Sequence, residues 1–323
     1  LFLAAALLTT AADRKRLAVT PKGGVTTPGV QMPVGKLKPE AEIAVAGAQS
    51  ILGAAEAVWV GTKTGVIPID GKTNRAGEAI AGVKLPCAGM ATGFESNWVV
   101  DCGAKGVARL ALKTNASKVT IGSGAVAVVQ GVAASEDSVW VLADEKGTFS
   151  RIDPETGKVV AEMRLPAGCT SVIYAEKSLW VACPAENQVL RVDPLTNLVA
   201  KRVDVAAGAR SLVFAEGSVW VLGGDKGKVS KVDAKTEKVT ATVDLQIADG
   251  GGEITAGAGS IWVTAKGYPL TRIDAKTDQV MQQFAGEGGG ALRFAAGSLW
   301  MVNQGNGTVW RVDPKRVLAT FAE

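Results

Sequence analysis

The sequence predicts an all-β fold, a seven-bladed β-propeller with four antiparallel strands in each blade. The first observation behind this prediction is a tryptophan that returns every 38–42 residues. It occurs at seven positions: Trp59, Trp98, Trp140, Trp180, Trp220, Trp262 and Trp300. The second is the content of the repeat, which in its fifth copy reads as the four alternating apolar runs RSLVFA, SVWVLG, KVSKVD and KVTATVD. A period near 40 fits several repeat classes, but four strands per period indicate a propeller blade.

The third observation is that seven repeats fill the chain from Glu40 to Glu323. We therefore expect one closed domain over 40–323, because a ring of blades cannot be divided without opening it. An apolar content of 47% supplies a core, and 39 glycines suit many tight turns. The 35 basic and 31 acidic residues leave a net charge of +4 with no basic block, so no nucleic-acid partner is expected.

The segment before the repeats falls into two parts. Residues 1–12, LFLAAALLTTAA, are apolar, too short to span a bilayer and end in small residues, which predicts the remnant of a secretory signal peptide. Residues 13–39 contain four prolines among Gly, Thr and Lys, which predicts a flexible, extended linker. An ordered extra strand at 31–35 is the alternative. A signal peptide implies a periplasmic or secreted protein.

Two stretches of the repeat region depart from the regular pattern. The fourth strand of the first repeat, around 75–83, is weak. At the seam of the ring, 40–47 and 315–323 compete for the outer strand of the seventh blade. We expect both segments to join that blade and so to tie the two ends of the chain together, because an unpaired edge would be a site for opening and aggregation.

A D-x-x-T element separates the third and fourth strands of five repeats. Its aspartates are Asp70, Asp153, Asp193, Asp233 and Asp274. An aspartate in this position accepts N–H bonds from the turn that follows it, and aspartates in neighbouring blades lie far apart. These carboxylates are therefore predicted to stabilise turns, not to bind metal. The repeated tryptophans are similarly predicted to fill space between blades, not to stack on a cofactor.

A basic residue stands two positions before the aspartate, or its equivalent, in six repeats. These residues are Arg109, Arg151, Arg191, Lys231, Arg272 and Arg311. Strand alternation places the basic residue on the same face as the aspartate. We expect a solvated rim lined by both; an anionic partner is the alternative.

The four cysteines occupy equivalent places in two repeats. Cys87 and Cys169 each lie 11 residues before their tryptophan, and Cys102 and Cys183 follow it by 4 and 3. Folding the first two strands into a hairpin brings each pair within disulfide reach, which predicts Cys87–Cys102 and Cys169–Cys183. A metal site would require C-x-x-C or histidine spacing, which is absent. Disulfides indicate an oxidising compartment.

The sequence has no histidine. This excludes a Ser/His/Asp triad, a histidine-ligated zinc site and an imidazole general base. The glycine-rich stretches at 249–253 and 286–290 link blades and do not open a helix, so they are weak phosphate-binding candidates.

The pattern SVWV followed by G-x-V-x-[RK]-V-D-x-x-T resembles the YVTN/YncE-like seven-bladed propellers. That superfamily also includes virginiamycin B lyase-like proteins and is akin to quinoprotein propellers. The resemblance covers about 49–323 and implies an exported propeller. Lyase relatives depend on a catalytic histidine, magnesium and a nearby glutamate, and this chain has no residue to receive the histidine's role. Quinone dehydrogenases share D-x-x-T-G-K turns, seen here at 153–158, but usually have eight blades and a tryptophan closing each motif.

In propellers, a ligand site is expected where the loops entering the innermost strands gather around the central channel. The candidates on the innermost strands are Gln49, Gln130, Thr170, Arg210, Glu253 and Arg293. Those in the adjoining loops are Asp101, Asp144, Asp225, Lys266 and Asn303. Arg210 and Glu253 are the most suggestive, with a mutual ion pair in the channel mouth as the alternative. No catalytic or metal-binding residue is assigned.

Two functions remain open. The first is an exported, non-enzymatic propeller that holds a protein, a peptide or a small molecule on its channel face, as a monomer without a membrane span or resident cofactor. The second is a histidine-free lyase or quinone-linked dehydrogenase in which carboxylates such as Glu253 act with a bound divalent cation. Calorimetry with Ca²⁺, Mg²⁺ and pyrroloquinoline quinone separates the two, because the enzyme predicts saturable binding of at least one.

Overall fold

A computed structural model describes residues 23–54, 56–115, 117–122, 131–248 and 251–320. The strands of these residues form seven sheets in a ring, each with four antiparallel strands, and one sheet has a fifth strand. The predicted seven-bladed propeller is therefore confirmed. In the described part of the chain, no helix has the length and hydrophobicity of a membrane-spanning segment.

The first four blades follow the chain in order, from the innermost strand outwards. Blade 1 consists of Ala48–Ala54, Ala57–Thr62, Gly65–Asp70 and Arg75–Ala76. Blade 2 consists of Pro86–Gly93, Ser96–Asp101, Gly106–Ala111 and Ser117–Gly122. Blade 3 consists of Val132–Ala134, Val139–Leu142, Thr148–Asp153 and Lys158–Arg164. Blade 4 consists of Ser171–Ala175, Ser178–Cys183, Gln188–Asp193 and Leu198–Asp204.

The last three blades include the seam of the ring. Blade 5 consists of Ala209–Ala215, Ser218–Gly223, Lys228–Asp233 and Lys238–Asp244. Blade 6 consists of Ile254–Gly257, Ser260–Ala265, Tyr268–Asp274 and Val280–Ala285. Blade 7 takes Leu292–Ala295, Ser298–Asn303 and Thr308–Val312 from the end of the chain and Ala41–Ala44 from its beginning.

The N-terminal segment closes the ring, as predicted. Ala41–Ala44 pairs antiparallel with the third strand of blade 7, with Ala41 opposite Arg311 and Ala44 opposite Thr308. Ile43 is buried in a cluster that also contains Trp300. An N-terminal and a C-terminal strand thus share one sheet, which covers the edge of Thr308–Val312.

The prediction that 315–323 also joins blade 7 as a strand is wrong for the residues that the structure describes. Pro314–Ala319 is a helix, while 321–323 lie outside the described residues. Asp313 caps the helix by accepting from the N–H of Lys315 at 2.8 Å, and Pro314 occupies its first turn, where a missing N–H costs nothing. The cap and proline start a helix at the position where the other blades make a turn.

Part of the predicted linker is ordered. Gln31–Pro33 pairs in parallel with 283–285 and adds a fifth strand to blade 6. Gln283 and Phe284 on that blade are fully buried, and Val25 donates its N–H to the Gln283 side chain at 2.8 Å. The alternative of an extra strand is therefore the better description of 31–33, because the outer edge of blade 6 carries groups that need cover. Residues 1–22 lie outside the described part of the chain.

The repeated tryptophans pack between blades, as predicted. Six of the seven rings are at most 1% exposed, and Trp59 is 4% exposed. Trp140 of blade 3, for example, lies in one cluster with Leu179 and Val181 of blade 4. Each ring therefore contributes to the contact between its own blade and the next.

Both predicted disulfides are present. Cys87 is bonded to Cys102 and Cys169 to Cys183, with Cα–Cα distances of 5.8 and 4.0 Å. Cys87 lies at the start of the innermost strand of blade 2, and Cys169 lies just before that of blade 4. Each is bonded to a cysteine at or just after the end of the second strand of the same blade. The pairs therefore fix two inner hairpins on the face where the innermost strands begin.

Candidate functional site

The innermost strands of blades 2–7 surround a central cavity of about 360 Å³. Most of its wall consists of small or aliphatic residues such as Ala133, Ile173 and Val213. Two aromatic rings, those of Tyr174 and Phe214, also line it. Burial is the largest influence on Tyr174 and raises the pKa of its phenol, with further contributions from the Glu136 carboxylate.

Arg293 brings a charge to this apolar wall. It lies opposite Trp300 in its blade. The residues that lie opposite the tryptophan in the other six blades are Leu52, Ala91, Ala133, Ile173, Val213 and Thr255. Arg293 is thus a charged residue at a position where the other six blades have an apolar residue or a threonine.

Glu253 pairs with this arginine across the junction of blades 6 and 7. Its Oε2 lies 2.5 Å from Nη1 of Arg293, and both side chains are 31% exposed. The same Oε2 accepts from the N–H of Leu292 at 3.3 Å, and Nη1 also donates to the Leu292 carbonyl at 2.7 Å. These contacts hold the guanidinium in a defined position at the edge of the cavity.

The alternative of an ion pair between Arg210 and Glu253 is therefore wrong. Glu253 lies beside the first strand of blade 7, which carries Arg293, and the carboxylate is taken by that nearer cation. Arg210 is exposed, and its carbonyl accepts from the Thr170 hydroxyl at 2.9 Å.

The remaining candidates on the innermost strands do not join the pair. Gln49 is exposed, and its carbonyl accepts from the Gln304 side chain at 3.5 Å. Gln130 lies outside the described residues. The structure thus brings together Glu253 with Arg293, and separately Thr170 with Arg210.

Three of the candidates in the adjoining loops hold the backbone. Asp101 is fully buried and accepts from the N–H groups of Lys84 at 2.9 Å and Leu85 at 3.0 Å. Asp144 accepts from both the N–H and the hydroxyl of Thr148. Asn303 accepts from the N–H of Gly289 at 2.9 Å. These three side chains therefore stabilise the conformation of the loops. Asp225 and Lys266 are exposed.

The aspartates of the D-x-x-T elements behave as predicted. Asp153 accepts from the N–H of Glu155 at 2.7 Å and of Thr156 at 3.0 Å. Backbone N–H bonds, that of Thr156 first, lower the pKa of Asp153 below its ordinary value of 3.8. Among the described residues, no group of three or more acidic or cysteine side chains could hold a metal ion.

The repeated basic residues form contacts that the sequence did not predict. They are not a solvated rim. Arg151 stacks on Trp140, with Cζ 5.5 Å from the ring centroid, and donates to the Pro194 carbonyl of the next blade at 3.2 Å. Its Nε donates to Ser138 at 2.7 Å. We call this arrangement the cation clasp: a basic side chain on the third strand that covers its own tryptophan and bonds to the turn of the next blade.

The bond to the next blade recurs around the ring, and Arg109, Lys231 and Arg311 also cover their tryptophans. Arg109 bonds to the Pro154 carbonyl, Arg191 to Glu237, Lys231 to the Ala275 carbonyl and Asp278, and Arg311 to the Gly71 carbonyl and Asn74. Arg272 is the exception. It turns to Gln282 of its own blade, because the helix at 314–319 replaces the turn that it would reach. The sequence indicated this contact through the spacing of 10 or 11 residues between tryptophan and cation, which places the two opposite each other on neighbouring strands.

Solved structures with the same fold include a streptogramin B lyase, with 16% identity, a TM-score of 0.70, and coverage of 84% of this chain and 94% of the lyase. Virginiamycin B lyase from Staphylococcus aureus matches with 14% identity, a TM-score of 0.71, and coverage of 84% and 98%. Hydrazine synthase from Kuenenia stuttgartiensis matches with 13% identity, a TM-score of 0.71, and coverage of 85% and 97%. The chain thus shares the propeller fold of these proteins.

No protein-family model and no curated protein sequence matches the chain. At 13–16% identity, the likeness to solved structures establishes the architecture of the propeller and not its activity. What the site can do therefore has to be argued from its own residues.

Proposed function

We propose that this protein is an exported, non-enzymatic binding propeller that holds a carboxylate-bearing small molecule or peptide end in its central cavity, against Arg293. The observation that carries the proposal is the position of Arg293, a cation set by an ion pair into a cavity wall whose other side chains are mostly apolar.

The guanidinium has donors left for a ligand. Nη1 is used by Glu253 and by the Leu292 carbonyl. No described group accepts from Nε or Nη2, which form the other donor edge of the planar guanidinium. Such an edge matches the two oxygens of a carboxylate. Glu253 contributes by holding the guanidinium in place before a ligand arrives, which lowers the entropy cost of binding.

The rest of the cavity suits an apolar ligand body. Its volume of about 360 Å³ lies within the range of small-molecule sites. Ile173, Val213 and Phe214 offer apolar contact along the wall. The combination favours a ligand with one carboxylate and a compact body that is apolar where it meets these side chains.

A binding role is favoured over catalysis by the residues at hand. The sequence has no histidine, and the Glu253 carboxylate is engaged by Arg293, which disfavours its acting as a base. The two disulfides support an exported protein, because such bonds persist in oxidising compartments. We expect a monomer.

Calorimetry on the purified protein tests the proposal. Small carboxylic acids with apolar bodies and peptides with free C-termini form the panel, with the corresponding amides as controls. Arg293→Met is expected to weaken carboxylate binding at least about tenfold, because it removes the fork and keeps the length of the side chain. Arg210→Met is the matched control and should bind normally. Equal binding of acids and amides, or no effect of Arg293→Met, would contradict the proposal. Saturable binding of Ca²⁺, Mg²⁺ or pyrroloquinoline quinone would instead support the enzymatic alternative.

A further inference from the structure

The cation clasp is missing at the junction of blades 1 and 2. Trp59 lies opposite Pro68, where the other tryptophans lie opposite an arginine or lysine. The serine that receives the clasp's Nε is also missing. It stands two residues before the tryptophan in the other blades, as Ser138 does in blade 3, and Ala57 takes its place in blade 1.

A cavity occupies this junction. Its volume is about 510 Å³, and it lies on the face of the ring opposite the Arg293 site, between the turns that follow the third strands. Trp59, Pro68, Ala57, Leu112 and Asn115 line it. Pro68 is the position of the missing cation, and Trp59 is the tryptophan that the cation would cover. Leu112 and Asn115 belong to the turn of blade 2 that it would reach.

The acceptors that serve a clasp elsewhere remain in place here. Asn115 stands at the turn position that Asn74 holds in blade 1, where Asn74 accepts from Arg311 at 2.9 Å. In the absence of a cation, the Trp59 indole reaches across and donates to Asn115 Oδ1 at 2.8 Å. In four other blades the indole donates to the carbonyl five residues before it, as Trp300 does to Ala295. The blade 1 indole has thus taken over part of the missing cation's contact.

Charged side chains of both signs complete the lining, Glu56 and Asp70 beside Lys72 and Arg75. Glu56 stands three residues before Trp59, as Asp137 does before Trp140, and Asp137 pairs with the clasp Arg151 at 2.8 Å. Glu56 lines the cavity and is paired with Lys72 in a contact whose side chains are 69% and 71% exposed. An ion pair as exposed as this one is weak and is readily exchanged.

We infer that this cavity, which we call the vacant clasp, binds a guanidinium group carried on an alkyl chain, either free or as the arginine side chain of a peptide. The guest takes the place that a basic side chain of this chain fills at five other junctions. It lies against Trp59 and bonds to Asn115 and Glu56, and its alkyl stem packs along Pro68 and Leu112. Trp59 can then return its indole N–H to the carbonyl of Ala54.

Nuclear magnetic resonance of the indole N–H groups tests this inference. The Trp59 signal is assigned with Trp59→Phe, and the probes are N-acetyl-arginine methylamide, its uncharged citrulline counterpart and the peptide Gly-Arg-Gly with blocked ends. The blocked ends remove any carboxylate that could bind at Arg293. We expect the arginine probes to move the Trp59 signal at millimolar concentration and the citrulline probe to leave it unchanged. Tighter binding of the peptide would support a peptide source, and equal binding would support a free small molecule.

Pro68→Arg provides the decisive variant. It restores the residue type found at the other junctions, so the new side chain should fill the vacant clasp and weaken arginine binding at least about tenfold. Pro68→Ala is the matched control: it removes the ring that the alkyl stem contacts but leaves the cavity open, so it should weaken binding much less than Pro68→Arg does. An unmoved Trp59 signal in the wild-type protein, or equal binding by Pro68→Arg and Pro68→Ala, would overturn the inference.

Discussion

Arg151 of blade 3 donates a hydrogen bond to the carbonyl of Pro194 in blade 4 while its guanidinium covers Trp140 of its own blade. One side chain thus joins a packing contact within a blade to a polar contact between blades. Because a blade in a repeat architecture contacts mainly its neighbours, the stability of the ring depends on these junctions. The cation clasp is the recurrent polar part of the junction, and the tryptophan is its apolar part.

Removing one clasp should destabilise the protein. Arg151→Met keeps much of the apolar stem and removes the bonds to Ser138, Asp137 and Pro194. We expect a loss of about 1–3 kcal/mol in the free energy of unfolding, measured by urea denaturation. Arg202→Met, on the exposed outer strand of blade 4, is the control and should change stability by less than about 0.5 kcal/mol. Equal effects of the two substitutions would show that the clasp is an incidental surface contact.

Closure of the ring by the N-terminal segment gives a second prediction. Ile43 is 7% exposed and packs beside Trp300 and Val309. Ile43→Ala should cost about 2–4 kcal/mol in the free energy of unfolding, whereas Glu42→Ala on the exposed face of the same strand should cost little. Deleting 40–47 should lower the melting temperature by several degrees or more. An unchanged melt would mean that blade 7 is stable with three strands.

The disulfide of blade 4 is predicted to contribute strongly to stability. Cys169 and Cys183 are fully buried and are separated by 14 residues. Replacing both with alanine should lower the free energy of unfolding by about 3 kcal/mol in the chain-entropy model. Non-reducing peptide mapping should recover Cys169 linked to Cys183 and Cys87 linked to Cys102. Free thiols, or a link between Cys87 and Cys169, would contradict this assignment.

The turn aspartates predict how stability changes in acid. Backbone N–H bonds lower the pKa of the five D-x-x-T aspartates below 3.8 in the folded protein, with the bond from Thr277 the largest influence for Asp274. A folded-state pKa below the unfolded value means that this stabilisation is complete above pH 3.8 and is lost as pH falls through the lowered pKa values.

Asparagine keeps the accepting oxygen but does not titrate. A variant with asparagine at all five aspartates should therefore show a flatter decline of its urea midpoint below pH 3.8 than the wild-type protein. A variant with asparagine at five exposed carboxylates outside these turns is the control. If the acid decline of the turn variant matched that of the wild-type protein, other groups would govern acid unfolding.

The repeat architecture was readable from the sequence because every blade repeats the same local pattern. Trp220, its strand and the turn at Asp233 occur at matching places in other repeats. A blade with an irregular sequence can therefore be interpreted by comparison with the regular ones. The disulfides followed from the same equivalence. The predictions were wrong or incomplete at the two ends of the chain, where no second copy exists for comparison. Asp313 and Pro314 start a helix there, and Gln31–Pro33 adds a strand.

The candidate site was only partly readable, because contacts between blades depend on side-chain direction and not on spacing alone. Glu253 and Arg293 were both named from the sequence, but the ion pair given as the alternative joined Glu253 to Arg210. The cations opposite the tryptophans were expected to face solvent. Period-2 alternation predicts on which face of the strand a side chain lies, but not whether the side chain bends toward the next blade. In the sequence, the vacant clasp is indicated by Pro68, which stands where the other six repeats have an arginine or a lysine.

The most direct measurement of the proposed binding function is the Nε–H signal of Arg293 in protein labelled with ¹⁵N-arginine, recorded as the tightest carboxylate of the calorimetric panel is added. Arg293→Lys assigns the signal. Binding in the central cavity predicts that this signal shifts along the same saturation curve as the heat of binding, because the free donor edge of the guanidinium takes up the carboxylate, while Arg210 and Arg202 stay unchanged. An unmoved Arg293 signal at full saturation would contradict the assignment of the ligand site to this cavity.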